Sequence, residues 1–175
     1  MNILGLSEGF HDAAVCILQN NKIIFASQAE RFSGVKNDKW IHSNQLPKTE
    51  KYKPDVIAYY EKPFRKNLRR LYSGQGWKKN TTNFDVSFGH HESHAAAGYY
   101  TSPFNECNVL VIDAIGEWDT MSIWKGSVQN GYMGQRTHTL KKIKSWKYPY
   151  SLGLLYSAIT QRIGLKPNED EYITM

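Results

Sequence analysis

The sequence predicts a mixed α/β fold, α+β in character with mixed sheets, built from two related lobes. Two observations carry this. A strand, an acidic glycine-bearing turn, a strand, an Asn-rich hairpin and a strand run from Ile3 to Ala29 and again from Val109 to Lys144. Duplication at this spacing implies two lobes, each opening with a β-meander whose first turn faces a common cleft. Between the copies lie helical patterns that begin at Pro63 and at His90, so both element types contribute to the layers. The expected boundaries are 1–106 for the first lobe and 107–175 for the beginning of the second.

In chain order, Ile3 to Ser7 is a short apolar strand, Glu8-Gly9-Phe10-His11-Asp12 is a turn, and Ala13 to Leu18 is the second strand. Asn20-Asn21 tolerates left-handed backbone, so Lys22 to Ala29 returns as a third strand. A glycine-bearing turn can bring backbone N–H groups up to a phosphate, although most such turns are only turns. Glu30 to Lys39 is mixed in charge and lacks apolar periodicity. It is expected to be a loop leaving the sheet edge, either a solvated connector or a carrier of binding residues. Asp55 to Tyr60 is a strand, and Pro63 opens a helix to Tyr72. That helix bears Arg65, Lys66, Arg69 and Arg70, which form a solvated face or an anion patch.

Ser73 to Asn83 is rich in Gly, Lys and Asn and is expected to be mobile. Phe84 to Phe88 alternates as a strand and passes through Gly89 into a histidine-bearing helix that Pro103 ends. Asn108 to Asp113 is the clearest strand, because Val109-Leu110-Val111-Ile112 is an unbroken apolar run closed by an acid. Ala114 to Thr120 turns into the strand Met121 to Gly126, Asn130-Gly131 marks a tight hairpin, and Gln135 to Lys144 returns. Tyr150 to Ile163 is an amphipathic helix stopped by Gly164 and Pro167. Paired lobes of this kind, each with a loop facing the cleft, are the plan of the actin-like and sugar-kinase superfold, which is ribonuclease H-like.

Composition narrows the class. With 41% hydrophobic and 22% charged residues in 175, the chain can bury a core and is not of disordered type. A net charge of +6 is compatible with nucleic acid, an anionic surface or phosphorylated ligands. Cys16 and Cys107 lie far apart in apolar sequence without CxxC spacing and are expected to be buried, reduced thiols. No window approaches a membrane span and the first residues carry no signal pattern, so a soluble cytoplasmic protein is the expectation.

The densest chemistry is His90-His91-Glu92-Ser93-His94, half of the six histidines within five residues, followed by Ala95-Ala96-Ala97. On a helix, His90 and His94 lie one turn apart on one face. Two imidazoles so placed can share a divalent cation, but a complete site needs further ligands. The alternative is a helix start with polar residues in its first turn.

The pieces Gly5-Leu6, Phe10-His11-Asp12-Ala13-Ala14, Glu30-Arg31-Phe32-Ser33 with Lys36, His90 to Ala96, Ser102-Pro103-Phe104, and Asp113 with Gly116-Glu117-Trp118 occur in this order. Together they resemble the N-terminal region of ATP-dependent O-carbamoyltransferases of nodulation-factor, cephamycin and aminoglycoside biosynthesis. The same histidine motif occurs in the actin-like tRNA threonylcarbamoyl-adenosine transferase. The resemblance implies a two-domain enzyme. One domain makes carbamoyl-adenylate from carbamoyl phosphate and ATP, and the actin-like domain transfers the carbamoyl group to the hydroxyl of a small-molecule acceptor. It implies His90 and His94 as ligands of a divalent metal, iron, near the nucleotide. It places His11 and Lys36 near the reacting carbamoyl group, and Asp12, Asp113 and Gly116 on the substrate or nucleotide side.

Those residue types suit the reaction. Imidazole can take the hydroxyl proton, and Lys36 can offset charge on the tetrahedral intermediate and the departing AMP. His11 as a hydrogen-bonded turn residue and Asp113 as an acid capping its own turn are the competing interpretations. The resemblance further implies that a third metal ligand, an aspartate, and the Gly-rich nucleotide loops lie downstream. The resemblance thus implies that the segment Lys166 to Met175 ends inside a motif. On this basis the chain is expected to be a fragment, a split-gene subunit completed by a C-terminal chain or domain, or a remnant. Alone it is expected neither to transfer carbamoyl nor to hold metal tightly. A basic RNA-binding module is a third class, disfavoured because stacking aromatics are not interleaved with the cations.

Overall fold

Two reversals fold the first residues into a meander. In the computed structural model, which describes residues 1–45, 53–80, 82–130, 135–167 and 169–174, β1 (Asn2–Ser7), β2 (Ala14–Gln19) and β3 (Lys22–Gln28) pair antiparallel. Asn20 and Asn21 make the hairpin with φ of 49° and 64°, the left-handed region that Asn enters more readily than most residues. β4 (Val56–Tyr59) adds in parallel to the other edge of β1, and β5 (Val86–Ser87) adds in parallel to β4. The resulting order is β3-β2-β1-β4-β5. Leu4, Val15 and Ile17 are buried at its centre, with Leu6, Phe25, Ile41 and Ile57 packed around them. These elements form one compact unit, residues 1–63 with 77–89.

The segment expected to leave β3 as a loop instead begins with a short helix, α1 (Glu30–Ser33). Gly34 closes it at φ 69°, its N–H donating to Glu30 O at 2.9 Å. A glycine in the left-handed region at the end of a helix is a local capping device, independent of apolar periodicity.

Residues 64–76 with 90–175 form a second unit. All but the first residue of α2 (Pro63–Tyr72) belong to it, followed by α3 (His90–Tyr100), β6 (Cys107–Ile112), β7 (Asp119–Asn130), β8 (Arg136–Lys147) and α4 (Leu152–Arg162). A 3-10 turn spans Glu171–Ile173. The sheet order is β6-β7-β8, antiparallel throughout, so the predicted second meander is present. Its later strands run longer than expected, and Gly131 of the predicted hairpin lies outside the described residues.

Ala95 of α3 packs with Val111 and Trp124, and Val109 and Leu140 close the cluster. α3 thus belongs with this sheet rather than with the strands that precede it. At Gly126 a side chain would meet the Tyr99 ring at 2.5 Å, so the absence of one lets α3 approach β7. Cys16 and Cys107 are half-buried free thiols rather than fully buried ones; partial burial pushes the Cys16 thiol up. No helix among the described residues is long and apolar enough to cross a membrane.

Candidate functional site

α3 sets the spacing of the histidines. Its i, i+4 geometry brings His94 Nε2 to 3.1 Å from His90 Nε2. His90 Nε2 is also 2.7 Å from Asp113 Oδ2, and Asp113 directly follows β6. The ligand atoms of His90, His94 and Asp113 all lie within 4.8 Å of one another. The resemblance implies Asp113 on the nucleotide side and a third ligand downstream; the structure places the Asp113 carboxylate with the imidazoles.

The electrostatics favour ligand forms. Burial opposes ionisation of Asp113, but hydrogen bonding and charge from His90, with the Ala114 amide, outweigh it and hold the carboxyl at about 2. His94 is exposed by surface area, yet desolvation by the surrounding protein atoms, and then the neighbouring His90, push its pKa down, which favours the neutral ring. A deprotonated carboxylate and a neutral imidazole are the states that bind metal. Two nitrogens held ~2.0–2.1 Å from one tetrahedral ion would be roughly 3.3 Å apart, close to the observed His90–His94 separation. The donor set therefore fits a divalent cation.

His91 takes a different path, which its place in the motif does not reveal. It is buried, with Nδ1 2.7 Å from Ser122 Oγ, and Ser122 Oγ also accepts from Trp124 Nε1 at 2.8 Å. Indole only donates, so Ser122 Oγ accepts from Trp124, and its bond with His91 Nδ1 runs in the direction that the ring tautomer sets. Burial pushes the His91 pKa down to about 4. Next to this ring is Gly116, where a Cβ would stand 2.8 Å from His91 Cδ2 and 3.1 Å from His90 Cδ2. The Gly116 amide donates to Asp119 O at 2.9 Å.

Two further contacts fix the site within the second unit. Buried Glu117 accepts from the His90 amide at 3.3 Å through Oε1, and its Oε2 is 3.3 Å from Arg65 Nε. Ser151 N-caps α4 by accepting from Leu154 N at 3.1 Å, while its hydroxyl donates to Ala114 O at 2.6 Å. Sequence reasoning missed both. Ser151 was legible in principle as a cap residue just before a helical pattern.

In the first unit, the β1–β2 turn holds His11 and Asp12. Gly9 has φ 90° and Asp12 has φ 51°. His11 Nδ1 is 2.7 Å from Asp12 Oδ2, and Gln28 Nε2 donates to Asp12 Oδ1 at 3.0 Å. Tyr59 OH donates to Glu8 O at 3.0 Å, and Lys78 Nζ donates to Gly9 O at 2.9 Å, so the turn is braced on both sides. Lys36 is exposed on the segment after α1. Nearby, Asp38 Oδ2 is 2.6 Å from His42 Nε2. Hydrogen bonds from Ser33 and His42, then the Trp40 amide, hold the Asp38 carboxyl at about 2.

The basic helix turns part of its charge inward. Arg69 is buried, Arg65 faces Glu117, and Arg70 donates to Gln75 O at 3.1 Å and Gly76 O at 3.3 Å.

Residues 56–175 match the family profile described as carbamoyltransferase N-terminus. An uncharacterized protein of Synechocystis sp. is 30% identical over 216 aligned residues, covering 99% of this chain and 34% of the relative. An uncharacterized protein of Methanocaldococcus jannaschii is 30% identical over 172 residues, 97% of this chain and 31% of the relative. The chain spans about a third of the length of these curated relatives.

Proposed function

Because the chain belongs to the carbamoyltransferase N-terminal family, we propose that it forms the actin-like, metal-bearing part of an ATP-dependent O-carbamoyltransferase. The observation that carries this reading is the convergence of His90, His94 and Asp113. Two imidazoles and one carboxylate are the donor set of non-haem iron(II) sites with open coordination positions. Such an ion supplies Lewis acidity and charge neutralisation toward phosphate oxygens. With Asp113 as third ligand, the chain can hold metal from its own residues.

The reaction divides among the remaining residues. The acceptor hydroxyl oxygen attacks the carbamoyl carbon of carbamoyl-adenylate while its proton passes to His11, and collapse of the tetrahedral intermediate breaks the bond to AMP. Lys36 offsets negative charge on that intermediate and on the leaving phosphate. Carbamoyl-adenylate comes from carbamoyl phosphate and ATP on a complementing domain or chain, so transfer is a property of the longer assembly. A cytoplasmic setting suits these substrates.

The test separates metal from chemistry. The purified chain is loaded anaerobically with iron(II), desalted and assayed for bound metal. Wild type retains it stoichiometrically, while His94→Ala and Asp113→Ala lose it with far-UV circular dichroism unchanged. Equal retention in all three removes the assignment. For transfer, the chain is co-expressed with the complementing segment, given ATP and carbamoyl phosphate, and followed by pyrophosphate release and a carbamoylated product.

A further inference from the structure

We propose that Gln28 is a positioning residue for His11, acting through Asp12 to set which imidazole nitrogen carries the hydrogen. This rests on the reading of His11 as the group that takes the hydroxyl proton. Gln28 is the last residue of β3 and lies opposite Ala14 in the ladder. Its amide reaches back to the turn and donates to Asp12 Oδ1 at 3.0 Å. The other carboxylate oxygen, Oδ2, is 2.7 Å from His11 Nδ1. Asp12 itself sits at φ 51°, and its carboxylate lies against the preceding His11 ring.

The hydrogen-bond inventory fixes the protons. An ionised carboxylate only accepts, so Gln28 must present its NH2 group and His11 must carry hydrogen on Nδ1. A neutral His11 then has its lone pair on Nε2, the form able to accept a proton from a hydroxyl. The logic is that of the buried aspartate that holds a catalytic imidazole in one tautomer, extended one residue further back. Without the Gln28 donor, Asp12 is free to turn about its side-chain bond. The ring then reverts to the Nε2–H form that histidine prefers in water, and that form donates where the reaction needs an acceptor.

The test is spectroscopic. Histidine-15N-labelled chain is examined by long-range proton–nitrogen correlation above neutral pH, which distinguishes the two neutral tautomers. Wild-type His11 is expected as Nδ1–H. Gln28→Met, which keeps the length and removes the donor, and Asp12→Asn are both expected to move it to Nε2–H. Gln28→Lys restores a donor to Asp12 and is expected to restore Nδ1–H, a rescue that a purely structural role for Gln28 would not give. If Gln28→Met does not fold, Gln28→Leu, which also lacks the donor, is compared with Gln28→Lys in its place. An unchanged Nδ1–H signal in Gln28→Met or in Asp12→Asn overturns the proposal. Because no transfer is measured, failure of the carbamoyl-transfer reading leaves this result standing, and failure here leaves the metal centre untouched.

Discussion

At Gly116 the geometry leaves no room for a methyl group. An added Cβ would meet His91 Cδ2 at 2.8 Å, His90 Cδ2 at 3.1 Å and the Asp119 carbonyl oxygen at 3.1 Å. The carbonyl cannot move without disturbing the turn, and one of the rings is a proposed ligand. Gly116→Ala is therefore expected to cost about 1–3 kcal/mol, the range for overpacked sites, and to lower metal retention as well. Denaturant titration and metal assay of the same sample check both parts; a neutral effect on both would show that the loop gives way. The three histidines illustrate how far residue identity alone reaches. Helical spacing was enough to pair His90 with His94. That His91 turns instead to Ser122, which also accepts from Trp124, depends on where β7 packs against α3, which no local pattern encodes. Asp113 was recognised as a strand-end acid, but its partner depends on the same packing.

At the scale of elements, two helix boundaries carry testable weight. Ser151 caps α4 and also holds the carbonyl of Ala114, next to the Asp113 carboxylate. Ser151→Ala is expected to lower stability by about 1 kcal/mol, as for other caps, and to weaken metal retention, whereas Ser151→Thr preserves both. The segment after α1 gives a pH dependence. Asp38 has its folded pKa lowered to about 2 from the ordinary 3.8 by Ser33, His42 and Trp40. Between those values the unfolded chain binds more protons, so stability rises with pH there. The contribution of Asp38 is complete above the unfolded value and is lost as pH falls toward 2. Asp38→Asn should flatten this acid limb, and thermal melts between about pH 2 and 5 read it. An identical acid limb in wild type and variant would remove the role. α1 itself escaped periodicity because four residues are barely one turn; its signal was the capping glycine at position 34.

Across the whole molecule the legible feature was the repeated meander, β3-β2-β1 in one sheet and β8-β7-β6 in the other, because strand alternation and Asn-rich turns are local. The parallel pairing of β4 and β5, and the grouping of α3 with the later strands, were not legible, since they depend on contacts distant in sequence. Charge raises the same contrast. The net +6 is compatible with nucleic acid, an anionic surface or phosphorylated ligands without choosing among them, but the fold draws several of its cations onto its own groups. Arg65 faces Glu117, Arg70 donates to two carbonyls, Lys142 Nζ is 2.6 Å from Asp119 and 5.0 Å from the Trp124 ring centroid, and Lys144 lies 4.7 Å from that of Trp146. A surface built for nucleic acid keeps its cations free to replace counterions, and six or more phosphate contacts reduce affinity by roughly 10³ or more between about 50 and 200 mM salt. This chain is expected to show a shallower salt slope toward single-stranded RNA and weak binding throughout. Arg70→Ala should lower stability without changing that slope. Fluorescence anisotropy across a salt series decides it: tight binding at physiological salt with a steep slope, reduced by Arg70→Ala, would mean that the α2 cations serve a nucleic-acid partner instead of the fold.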